Sequence, residues 1–162
     1  MTEAEVNDAL QPLMGLPLQC LGRAANMLWA HFGEMRETLS PLGQKRETGE
    51  WALHVQCPWR ICQSGRIVVA RGDFYYSPSG DPLDDWDTFG KSAFDVTVAK
   101  LGGGFTDSPP HVTMIRADDI GGFSLQLTGD YQLNVFPADS YIDREHWRIF
   151  RPGAQHKHFV FR

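Results

Sequence analysis

The chain has 162 residues, with 15 basic and 20 acidic side chains and a formal charge of -5. Its mean hydropathy of -0.32, with no apolar run near the roughly 18 residues a membrane helix needs, excludes a helical span. An apolar fraction of 42% with 12% aromatics is too rich for a disordered chain, and neither half is basic enough to suggest a nucleic-acid surface. The acidic start, Met1 to Asp8, is unlike a signal or transit peptide, so one soluble, cytoplasmic domain over residues 1–162 is expected.

Thr2 stands as an N-cap with Glu3 and Glu5 behind it, which predicts a short acidic helix before the breakers Pro12 and Pro17. Leu16 to Phe32 is apolar and ambiguous. Arg23 to Trp29 has helical propensity, whereas Met27 to Phe32, ending at Gly33, reads as buried strand. From Trp51 to Ile61 the residues Trp51, Leu53, Val55, Cys57, Trp59 and Ile61 alternate with smaller or polar ones, the period of a strand with one apolar face. Pro58 cannot donate to a ladder, so the strand is at an edge, bulged or finished there. Gln63 to Arg66 reads as a turn and Ile67 to Tyr76 as the return strand, broken by Gly72. Trp51 and Trp59 are assigned to the core, with Trp29 beside them.

Ser77 to Asp87 is a turn-rich acidic loop. Phe94, Val98 and Leu101 then predict a helix over Ser92 to Leu101 closed by Gly102 to Gly104, with a strand (Phe94, Val96, Val98) as the rival. Strands are expected at Val112–Arg116, and at Phe123–Leu127 and Tyr131–Phe136 around the turn Thr128-Gly129-Asp130. Two more follow at His146–Arg151 and Lys157–Phe161. The sum is an α+β domain, mainly antiparallel β of about seven short strands, with one or two helices.

Chemistry is less legible. Cys20, Cys57 and Cys62 are an odd set, read as reduced and at least partly buried; a Cys57–Cys62 disulfide is possible but unsupported. No nucleophile elbow, zinc-protease helix or phosphate loop is present. His156 and His158 are two apart, so on a strand they share a face; with His146 they could hold a divalent metal, and Arg148 or Arg60 could meet an anionic substrate. His54, Cys57 and Cys62 would need a bulge to converge. Asp118 and Asp119 read as solvated loop acids. Asp84, Asp85 and Asp87 surround Trp86 on the acidic loop, where the indole either covers the core edge as a lid or, if exposed among the acids, suits a basic protein partner. His54 and Arg60 complete the candidate binding set.

The stretches Ala52-Leu-His-Val-Gln-Cys-Pro-Trp-Arg-Ile61, Glu145-His-Trp-Arg-Ile-Phe-Arg-Pro-Gly153 and Arg23-Ala-Ala-Asn-Met-Leu-Trp29 resemble the signature segments of a family of small bacterial proteins of unknown function. The resemblance implies a bacterial, single-domain, cytoplasmic protein and brings no catalytic residue. The leading expectation is a non-enzymatic protein-binding domain without a cofactor, of the immunity or antitoxin sort. The alternative is a metal-dependent enzyme or small-molecule binder using His146, His156 and His158. A third is association through edge strands, with the oligomeric state open.

Overall fold

The computed structural model describes residues 2–40, 42–141, 143–153 and 158–162. The first element is α1 (Glu3–Leu10), whose start follows the expected cap: Thr2 Oγ1 accepts from the Glu5 amide at 3.3 Å, and Glu5 Oε2 accepts from the Thr2 amide at 2.7 Å. Val6 and Leu10 are its buried face, and Pro12 lies in the 3₁₀ turn that ends it.

Five strands form the first sheet: β1 (Leu18–Ala24), β2 (Met27–Phe32), β5 (Trp51–Val55), β11 (Trp147–Phe150) and β12 (Phe159–Phe161), in the order β1-β2-β5-β11-β12. A second sheet orders β7 (Arg66–Ala70), β6 (Trp59–Gln63), β10 (Tyr131–Val135), β9 (Phe123–Leu127) and β8 (Val112–Ala117). A separate hairpin, β3 (Arg36–Leu39) with β4 (Lys45–Thr48), completes the strands, and every pairing is antiparallel. The inner faces of both sheets contribute to one apolar core, with Trp59, Trp147, Phe32 and Phe74 among its largest members. The α+β, mainly antiparallel architecture is thus as expected, but the described residues form twelve strands rather than about seven.

Four local expectations are corrected. The alternating stretch 51–61 is two strands, not one: the chain leaves the first sheet after Val55 and enters the second at Trp59. The crossover is pinned by the His146 carbonyl, which accepts from the Gln56 and Cys57 amides at 2.8 and 3.1 Å. Alternation survives the change of sheet because Leu53, Val55, Cys57, Trp59 and Ile61 all point into the same core. Secondly, Arg23 to Trp29 is no helix; a tight turn at Ala25-Asn26 joins β1 to β2, with Ala25 at φ 51°. The expected return strand also stops at Ala70, after which Arg71–Phe74 is a 3₁₀ turn.

The fourth correction concerns α2 (Ala93–Asp107), which runs straight through Gly102, Gly103 and Gly104. Tertiary packing overrides propensity: Phe105, beyond the glycines, is buried edge-on against Tyr131, with centroids 5.5 Å apart. A Cβ at Gly103 would meet nothing within 4 Å. Gly103→Ala is therefore expected to raise stability by about 0.5–1 kcal/mol in chemical denaturation, because alanine loses less backbone entropy in a helix. No gain would mean that the helix does not continue through residue 103. α2 packs on β1 and β7, edge strands of the two sheets, while α1 packs on β8.

Candidate functional site

The sequence-derived candidates do not form one site. Asp84, Asp85, Asp87 and Trp86 lie on the loop before α2, His54 on the outer face of the first sheet, and Arg60 on the outer face of the second. Arg60 is exposed, its guanidinium 5.8 Å from the Phe136 ring centroid. His146 and His158 flank the β11–β12 ribbon at opposite ends: His146 donates its amide to the Phe161 carbonyl, whereas His158 stacks on Phe150 at 4.3 Å. His156 lies outside the described residues. Among the described residues no group of three or more His, Cys, Asp or Glu side chains is placed to hold a metal ion. The three cysteines are unbridged; burial pushes the Cys57 thiol up to about 12.

The acidic loop is a built element. Beneath it, Arg23 from β1 meets Asp95 of α2 in a two-pronged pair, Nε to Oδ1 at 2.8 Å and Nη2 to Oδ2 at 2.7 Å. Their side chains are only 3% and 2% exposed. The same groups reach the loop backbone: Arg23 Nη2 donates to the Thr88 carbonyl at 3.3 Å, and Asp95 Oδ2 accepts from the Gly90 amide at 2.9 Å. Burial by itself would raise the Asp95 carboxyl, but hydrogen bonds from Arg23, Ser92 and Gly90 outweigh it and hold it below the usual carboxylate range. Above this anchor Trp86 is half-buried, edge-on to Tyr75 at 5.1 Å, so the indole closes the loop onto the body of the protein. The exposed aromatic is instead Phe89, at 83%. Asp85 pairs with Lys91, while Asp84 and Asp87 are exposed.

A second candidate was not legible as a unit. On the outer face of the first sheet, Cys20, His31, Ala52 and Phe150 lie across one row of the register, and Gly22, Trp29, His54 and Arg148 across the next. Gly22 has a steric reason: a Cβ there would fall 2.3 Å from the Trp29 indole, which lies across the strand. The β3–β4 hairpin leans over these rows and makes a pocket of about 440 Å³, with Arg46 and Glu47 on its wall. Trp29 and His31 rings sit 5.0 Å apart, and His54 meets Phe150 edge-on at 4.9 Å. Burial lowers the His31 pKa, assisted by Arg46; burial, then Arg148 and His31, pull His54 down to about 4. Trp29, assigned to the core from sequence, thus belongs to this outward face. The signal that could have found it is that β2, β5 and β11 carry apolar or aromatic residues on both faces, whereas the second sheet presents Arg60, Asn134, Ser124 and Gln126 outward.

No protein-family model, curated protein or solved structure matches the chain. Function is therefore read from the sites themselves.

Proposed function

We propose that the protein is a non-enzymatic binding protein that engages a basic protein partner through the loop Asp84–Gly90. The observation that carries this reading is Phe89, almost fully exposed on a loop whose backbone is fixed by the buried Arg23–Asp95 pair. A rigid loop has little entropy left to lose on binding, and an exposed aromatic on a loop that also carries the exposed carboxylates of Asp84 and Asp87 supplies both an anchor and electrostatic steering. An immunity or antitoxin role, neutralising a basic partner, is the narrower form of the proposal, and membership of the bacterial family resembled in sequence goes with it. Among the described residues no helix is long and apolar enough to cross a membrane.

The test is native mass spectrometry of the protein drawn from its host, beside a variant carrying Phe89→Ala with Asp84, Asp85 and Asp87 changed to Asn. A bound basic polypeptide is expected on the parent chain. The variant should lose it, with Phe89→Ala alone costing about 2 kcal/mol of affinity or more and the remaining binding less sensitive to salt. A parent chain without a polypeptide, or a partner held equally by the variant, would sink the reading. A metal ion found instead would favour the histidine alternative.

A further inference from the structure

The pocket on the outer face of the first sheet is separate from the acidic loop and carries its own chemistry. Its volume, about 440 Å³, lies within the range of small-molecule sites. Its floor carries the aromatic rings of Trp29 and Phe150, with the small Ala52 next to Phe150 in the same row. Among the described residues the buried His31 Nδ1 has no hydrogen-bond partner, an arrangement that folded proteins rarely leave standing.

We propose that this pocket binds an uncharged, flat aromatic molecule able to both donate and accept hydrogen bonds. Flatness follows from the floor, where ring stacking and edge contacts on Trp29 and Phe150 favour a planar body over a branched one. Neutrality follows from the charges. Arg46 and Glu47 bring one charge of each sign to the wall, and Arg148 beside His54 is paired with Glu145. The groups bearing on the two imidazoles are Cys20 across from His31 on β1, Arg46 and Glu47 from the hairpin, and Arg148, Glu145 and His158 from the β11–β12 side. A cation would face the arginines, and an anion would face Glu47 and the cost of burial on an apolar floor. A neutral imidazole offers one N–H donor and one nitrogen acceptor, so His31 and His54 together ask for a ligand edge carrying both functions.

Benzamide, benzoate and benzamidinium share one ring and nearly one shape but differ in charge, and imidazole NMR of the full chain reads their binding at His31 and His54. Benzamide should shift both rings in a saturable way at the millimolar affinity expected of a fragment. Each charged analogue should bind about tenfold more weakly. Ala52→Leu, filling the floor, should abolish the shifts; should that variant not fold, Ala24→Trp at the exposed rim should weaken them instead. Equal or tighter binding of a charged analogue, no response of either imidazole to benzamide, or shifts that survive in the folded variant would each overturn the proposal. Because the acidic loop is untouched by these measurements, the binding of a basic partner stands or falls separately.

Discussion

Replacing Arg23 with alanine is expected to destabilise the protein by about 3–5 kcal/mol, the loss typical of a buried ion pair stripped of one partner. The magnitude comes less from the attraction removed than from what is left behind: Asp95, with its side chain 2% exposed, would remain charged beneath the loop. It would keep only the Gly90 amide and its contact with Ser92. Chemical denaturation would show the loss as a lower midpoint at unchanged slope, and limited proteolysis would cut residues 84–91 faster, because the Thr88 carbonyl loses its anchor. A loss below about 1 kcal/mol, the worth of an exposed pair, would contradict the burial of this one. Acid should act on the same pair. The Asp95 pKa is depressed in the folded state, so its contribution is complete above the unfolded value of about 3.9 and is lost as pH falls below it toward the folded value. Asp95→Asn should accordingly flatten the decline in stability below about pH 4.

Gly121→Ala should cost about 3 kcal/mol, combining overpacking with left-handed backbone strain. Gly121 adopts φ +83°, and a Cβ there would lie 1.9 Å from Phe161 Cζ. The neighbourhood has little room to yield. The Trp147 indole donates to the Gly121 carbonyl at 2.8 Å and lies nearly parallel to the Phe161 ring at 5.8 Å, with Phe123 edge-on at 5.0 Å. Gly80→Ala is the control, since Gly80 has φ +90° but nothing within 4 Å of the added carbon. It should cost only the strain, about 1–2 kcal/mol. Adding Phe161→Leu to Gly121→Ala should give a total smaller than the sum of the two single losses in thermal denaturation. Strict additivity, or a Gly121→Ala loss no larger than that of Gly80→Ala, would show that the ring is not the obstacle.

The features visible in the sequence are those written over short distances. The Thr2–Glu5 cap, the turn at Thr128-Gly129-Asp130 and the alternation from Trp51 to Ile61 each depend on residues a few positions apart, and each is present in the fold. The β3–β4 hairpin is different: its strands Arg-Glu-Thr-Leu and Lys-Arg-Glu-Thr carry almost no apolar pattern, and only Thr48 among them is buried. The candidate sites were legible in proportion. The acidic loop could be located and Trp86 read as its lid, but Phe89 as its exposed aromatic could not. Trp86 turns inward because Tyr75 is there to receive it, and Phe89 is left outside.

By itself, then, the sequence determined the antiparallel α+β class and, for the alternating stretches Leu53 to Ile61, Phe123 to Leu127 and Leu133 to Val135, the side that faces the core, because a period of two specifies a face. It did not determine which sheet a strand joins. Residues 51 to 61 keep one inward face while crossing between sheets, since both sheets enclose the same core, and the crossover depends on a carbonyl at His146, some ninety positions away. The tertiary structure also decided that α2 continues past three glycines to bury Phe105, and that His146 and His158 stand apart. Only pairing among β1, β2, β5 and β11, strands far apart in the chain, gathers Trp29, His31, His54 and Phe150 into one pocket. Such pairings are fixed by the packing of the whole core, and no local stretch of residues encodes them.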